Sequence, residues 1–146
     1  MRHISPAGLN LIKAFEAFSP VVYTCPAGYP TILWGHVVRP GEIFFQPASR
    51  ELGDAILRKD STQAELSVMR LIGVPLEDPQ FDALVSLTFN IGGGALQRST
   101  LRSKLNREEY GEVPDEFKKW VWGGGRKLPG LVTRRRIEAD WFSSVL

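Results

Sequence analysis

The sequence predicts an α+β protein, with a small sheet segregated near the N-terminus and helices everywhere else. Three observations carry that prediction. The β-branched and aromatic runs "VVYTC" and "TILWGHVV" both lie before Arg39, separated only by "PAGYP". Beyond Pro47, apolar residues recur at helical spacing. No repeat or low-complexity linker interrupts the 146 residues, a length that suits one domain. This order suggests a ligand cleft between a hairpin lobe, roughly 18–46, and a helical lobe, roughly 47–146 plus the first helix.

Each element has a local cause. Ser5-Pro6 supplies an N-cap followed by proline at the first helical position. Leu9, Ile12 and Phe15 follow at helical spacing, and Pro20 stops the helix near Ala17. Glu16 therefore falls in the last turn, beside the apolar Phe15 and Phe18. The two β-rich runs read as a hairpin with a five-residue connection, and "RPGE" (39–42) as a second turn. From about Pro47 to Ile72 the pattern is helical, with Gly53 and "KDST" (59–62) as weak points or a break. Asp78-Pro79 caps a helix that carries Phe81, Leu84, Val85 and Leu87 into "FNIGGGA", whose glycines end it. A shorter helix around 99–106 follows, then one from Asp115 that carries Phe117 and Trp120. A second glycine run, "WGGGRKLPG", precedes the closing helix "LVTRRRIEADWF".

Composition bounds the function. With 43% hydrophobic and 23% charged residues, the chain reads as an ordinary soluble globular protein. No apolar run approaches the roughly 18 residues of a membrane span. "MRHISPAGLNLIKAF" lacks the unbroken apolar stretch of an export signal. One cysteine forms no internal disulfide, and with two histidines it shows no metal-ligand spacing, so neither metal nor cofactor is expected. From Gln97 onward 11 Lys/Arg stand against 7 Asp/Glu, a basic surplus that suits either an anionic partner or a solvated helical face.

The candidate chemistry lies in "EAFSPVVYTCPAGYPT". Glu16, eight residues, Cys25, five residues and Thr31 fall on a helix end and two hairpin strands. Glycoside hydrolysis needs a carboxylic acid that protonates the leaving oxygen, and opposite it a nucleophile or a held water. The chain resembles the phage-type lysozymes of glycoside hydrolase family 24, the endolysins of tailed phages and their prophage relatives. Five segments carry the resemblance in order: "SPAGLNLIKAFEAF", "YTCPAGYPTILWGH", "VPLEDPQFDALVSLTFNIGGGAL", "STLRSKLN" and "LPGLVTRRRIEADWF". Two positions depart from the family pattern: Cys25 stands where aspartate is common, and Leu33 where the strand usually has glycine.

The resemblance implies a lysozyme-like fold and a muramidase that hydrolyses the β-1,4 bond between N-acetylmuramic acid and N-acetylglucosamine. It makes Glu16 the general acid, with Cys25 and Thr31 positioning the hydrolytic water. A neutral, water-orienting thiol is preferred for Cys25, because Glu16 opposite disfavours a second anion. Val37, Phe89, Asn90, Thr100 and Trp120 match positions lining the sugar cleft, although Phe89 and Trp120 read equally as core aromatics. His36 reads as a buried tie between lobes rather than a proton-transfer partner of Cys25. Arg134, Arg135 and Glu138 read as structural ion pairing. The expected partners are peptidoglycan glycan strands, an anionic envelope surface and a separate holin. The chain is expected to act as a monomer, to bind no nucleic acid, and to wait in the host cytoplasm before lysis. Two rivals remain at this stage. One is a cysteine peptidase using Cys25 and His36 on peptide stems. The other is a non-catalytic binder, of peptidoglycan through the cleft or of nucleic acid through "RKLPGLVTRRR".

Overall fold

The computed structural model describes all 146 residues. Helix α1 (Pro6–Glu16) leads into strands β1 (Phe18–Thr24), β2 (Pro30–Trp34) and β3 (His36–Val37). Then come α2 (Arg50–Leu71), α3 (Asp78–Ile91), α4 (Gly93–Gln97) and α5 (Thr100–Asn106). A 3-10 turn at Tyr110–Glu112 joins α6 (Val113–Phe117), followed by the short strands β4 (Trp122–Gly123) and β5 (Arg126–Lys127), and by α7 (Pro129–Ser143). The α+β class holds.

The expected hairpin is a three-stranded antiparallel sheet of order β1-β2-β3. The run "TILWGHVV" folds back on itself, pairing Thr31 with Val37 and Ile32 with His36. Leu33 at φ 61° and Gly35 at φ 69° make that turn. Leu33 thus keeps the backbone conformation that favours the glycine it replaces. A left-handed non-glycine residue costs about 1–2 kcal/mol, and complete burial among Ile32, Ala48, Phe18 and Phe44 offsets this.

The helical lobe is built around α3, whose residues from Gln80 to Thr88 are all buried. Its N-cap is Glu77 rather than Asp78, with the Glu77 N–H donating to the Gln80 side chain at 2.9 Å. Helix α2 runs unbroken for 22 residues, against the expected weak points. Ser61 and Thr62 donate their hydroxyls to the Arg58 carbonyl within the helix, so the polar stretch stays helical. Gly53 serves packing: a β-carbon there would lie 2.7 Å from the Trp34 ring. Gly92 caps α3, but Gly93 and Gly94 open α4 instead of forming a loop. Helix α6 ends at Phe117, leaving Trp120 beyond it, and the second glycine run turns the β4–β5 pair.

Phe18 packs against both the main core and the small sheet-side core, its ring 4.7 Å from that of Trp34. His36 is the polar tie. Its Nδ1 donates to Asp60 on α2 at 2.7 Å and its Nε2 to Glu42 at 3.0 Å. Only the imidazolium donates from both nitrogens. Burial pulls the His36 pKa down, but the bonds to Asp60 and Glu42 outweigh it and the net shift is upward. Glu42 is held below the usual carboxylate range, first by the Arg39 N–H and then by His36.

Two outcomes follow from these contacts. Leu33→Ala removes a buried side chain but keeps the strain, at a cost of about 3 kcal/mol. Leu33→Gly removes slightly more yet relieves about 1 kcal/mol of strain. Calorimetry should therefore find the glycine variant melting above the alanine variant, and the reverse order contradicts the turn. For His36 the raised folded pKa stabilises the protein fully below about pH 6.5, and that stabilisation is lost as pH rises through the folded value. His36→Gln should cost about 2 kcal/mol near pH 5, with the gap to wild type narrowing in alkaline urea titrations. A gap independent of pH would refute the imidazolium tie.

Candidate active site

The site begins at a helix end. Ala17 adopts φ 49° and ψ 141°, donates its N–H to the Lys13 carbonyl, and turns the chain from α1 into β1. Glu16 is left at the junction of the two lobes. Its Oε1 accepts from Arg134 Nη1 at 2.9 Å. Its Oε2 lies so close to the β2–β3 turn that a β-carbon on Gly35 would stand 2.5 Å away. A side chain at position 35 would be strained by the φ of 69° and would push Glu16 from its place.

Arg134 is itself fixed. Its Nη2 donates to the Ser86 carbonyl at 3.1 Å and its Nε to Glu138 at 3.3 Å, with the guanidinium 4.9 Å from the Phe15 ring centroid. Glu138 is fully buried and also accepts from Ser86 Oγ and Arg135. Arg135 continues the chain of bonds to the Trp120 carbonyl at 2.8 Å and to Asn90 Oδ1. Burial holds the Arg135 guanidinium below its usual range, with Glu138 opposing the shift. Arg134, Arg135 and Glu138 form the ion pairing expected of them, and Arg134 in addition bonds Glu16. Glu16 meets a guanidinium rather than a purely apolar pocket. Burial of Arg134 and Arg135 also removes two cations from the supposed basic surface.

Cys25 sits in the β1–β2 connection, half-buried and unpaired. Its N–H donates to the Tyr29 carbonyl at 2.9 Å, and the Gly28 N–H donates to its carbonyl at 2.8 Å. The thiol is held below its ordinary pKa, chiefly by the Tyr29 N–H; desolvation opposes, and the Thr31 hydroxyl and the Ala27 and Gly28 N–H groups add to the lowering. Thr31 is buried, and its single hydroxyl proton either goes to the Tyr29 carbonyl, 3.0 Å away, or turns to the sulfur. Because Thr31 and Gly35 lie on either side of one turn, the segment that meets Glu16 also carries Thr31.

Two cavities take in other candidate residues, and neither is lined by Glu16, Cys25 or Thr31. One of about 600 Å³ takes in Gly35, Val37 and Phe89. The other, about 560 Å³, takes in Asn90 and Trp120 together with the exposed Trp122. Thr100, on the exposed first position of α5, lines neither. Both ring nitrogens of His36 are engaged by carboxylates, which leaves no free nitrogen to serve Cys25 as a base. Sequence reasoning missed Gly35, Ser86, Asp60 and Trp122. Gly35 stood in the quoted "YTCPAGYPTILWGH" and Trp122 in "WGGGRKLPG", but the contacts of Gly35, Ser86 and Asp60 join distant segments.

Comparison with known proteins agrees with this geometry. The phage lysozyme family model matches residues 13–138. An endolysin of Acyrthosiphon pisum secondary endosymbiont phage 1 is 40% identical over 97% of this chain and 99% of its own length. An endolysin of Bacillus phage B103 is 39% identical over 96% of this chain, which spans 54% of that longer protein. The solved endolysin of Escherichia coli O157:H7 phage FAHEc1 superposes with a TM-score of 0.89 at 32% identity, covering 99% of this chain and 96% of that one. The chain therefore belongs to the phage lysozyme family, a glycoside hydrolase of the muramidase type.

Proposed function

We propose that Glu16 is the proton donor of this muramidase, and that Cys25 and Thr31 hold and activate the water that attacks the sugar. The reaction is hydrolysis of the β-1,4 bond between N-acetylmuramic acid and N-acetylglucosamine in peptidoglycan. The carrying observation is the clamp on Glu16. With Oε1 accepting from Arg134, the proton of the acid form belongs on Oε2, the oxygen beside the β2–β3 turn. Oε2–H gives its proton to the glycosidic oxygen as the bond to C1 breaks.

Water attacks C1 from the opposite face. The lowered thiol pKa supports Cys25 as acceptor of the water's proton, with Thr31 orienting the water's oxygen. This assigns Cys25 a base role beyond simple orientation and gives inversion at C1. Val37 and Phe89 line one stretch of the sugar cleft; Asn90 and Trp120 line the next. Asn90 offers its amide NH2, since its carbonyl oxygen is taken by Arg135. Residues 1–146 act as one catalytic domain and as a monomer. Before lysis the protein waits in the host cytoplasm, and a separate holin gives it access to the wall. No helix is long and apolar enough to cross a membrane.

Mass spectrometry of muropeptides released from purified peptidoglycan checks the assignment. Wild type should yield reducing N-acetylmuramic ends, and Glu16→Gln should lose about 10²-fold or more of the rate. Alkylation of Cys25 should abolish release, while Cys25→Asp retains substantial activity. Because the reaction needs Glu16 protonated and the Cys25 thiol ionised, wild-type turnover should be bell-shaped in pH, and Cys25→Asp should move one limb of the bell. Cleaved stems with intact glycan, undiminished in Glu16→Gln, would sink the assignment.

A further inference from the structure

The loop between β3 and α2 faces two ways. Phe44 packs inward on the small sheet-side core, its ring edge-on to His36 at 5.7 Å. Its neighbours point out: Ile43 is 89% exposed and Phe45 93%, more than any other large apolar side chain of the molecule. The loop is held in that posture. Gln46 Oε1 accepts the Val22 N–H at 2.9 Å, and the Ala48 N–H donates to the Pro20 carbonyl at 2.8 Å. Ile43, Phe45 and Leu52 line one recess of about 400 Å³, which none of the candidate site residues borders.

Cations flank the apolar pair. Arg39 and Arg50 are exposed, and neither joins the nearby ion pairs Lys13–Asp54, His36–Asp60 and His36–Glu42. The Arg50 guanidinium lies over the Phe18 ring, 4.5 Å from its centroid. Glu42 is committed to His36 and to the Arg39 N–H, which leaves Glu51 as the acid beside the two arginines. A fitting occupant accepts two protruding apolar side chains and supplies anions. A second copy of the chain does not fit. Phe45 offers roughly 200 Å² and Ile43 less, well short of the about 800 Å² per partner of a stable interface. A bilayer needs neither that area nor a matching relief, and it takes such side chains singly. We propose that this loop docks the protein on an anionic phospholipid bilayer. Ile43 and Phe45 enter the boundary between headgroups and acyl chains, and Arg39 and Arg50 meet the lipid phosphates. The docking does not draw on the hydrolytic reading, and its residues lie outside the basic stretch that begins at Gln97.

Vesicle sedimentation with the full chain is the test. Wild type should bind vesicles of equal phosphatidylglycerol and phosphatidylcholine about tenfold more tightly than vesicles of phosphatidylcholine alone. That difference should shrink as salt rises. Ile43→Ser/Phe45→Ser alters only exposed side chains, so it should keep the wild-type melting temperature yet bind the anionic vesicles at least about tenfold more weakly. Arg39→Gln/Arg50→Gln should lose the preference for phosphatidylglycerol. Phe45→Trp should gain quenching by brominated acyl chains beyond that of the four native tryptophans. No binding by wild type, or equal binding to the two vesicles, overturns the docking loop. Anionic binding that the serine variant retains also overturns it and points to the basic stretch after Gln97. A wild-type dimer that the serine variant disperses, with no vesicle binding, assigns the loop to a second copy and overturns it too.

Discussion

The Arg134 guanidinium is the contact on which the rest of the site depends. It spans 118 residues of sequence to reach Glu16, and it does so from a buried position where an unpaired cation would be very costly. Glu138 makes that burial tolerable. This single fully buried carboxylate bonds both Arg134 and Arg135, and Ser86 supplies a hydroxyl to one oxygen of the acid and a carbonyl to the first guanidinium. Because α3 provides Ser86 and Asn90, and α7 provides both arginines, the central helix pair fixes the direction in which Arg134 points. The acid at the end of α1 inherits that direction.

The second support comes from the sheet. The turn between β2 and β3 places a glycine against Glu16 and a buried threonine on the adjoining strand. Leu33 holds the turn by burial although its backbone suits glycine, so the side chain replaces conformational ease with packing. His36, the next residue after Gly35, pins the same turn to α2 through Asp60. The geometry around Glu16 thus rests on one contact from the helical lobe and one from the sheet.

Local chemistry was legible in the sequence, whereas convergence was not. Ser5-Pro6 and Pro20 bracketed α1 because caps and prolines act on their neighbours, whereas the roles read for Glu16, Cys25 and Thr31 came from the family resemblance. The expected break in α2 failed because Gly53 answers to the Trp34 ring, which lies elsewhere in the chain, and because Ser61 and Thr62 bond within their own helix turn. Strands of two residues, such as β4 and β5, are too short to show any period. Arg134 read as helix-face pairing since Glu138 follows it by four residues; its bond to Glu16 has no sequence signature at that separation. The lowered pKa of the Cys25 thiol was equally hidden, because the loop that sets it curves only in the fold.

The central claim is that Arg134 orients the acid beyond merely neutralising it, and Arg134→Lys isolates the two roles. Lysine keeps the charge but loses the planar fork that reaches Glu16, Glu138 and the Ser86 carbonyl together. Steady-state kinetics on peptidoglycan, with near-UV circular dichroism to establish folding, gives the answer. Orientation predicts kcat lower by about 10²-fold with KM close to wild type. A folded lysine variant with kcat within about threefold of wild type would contradict it.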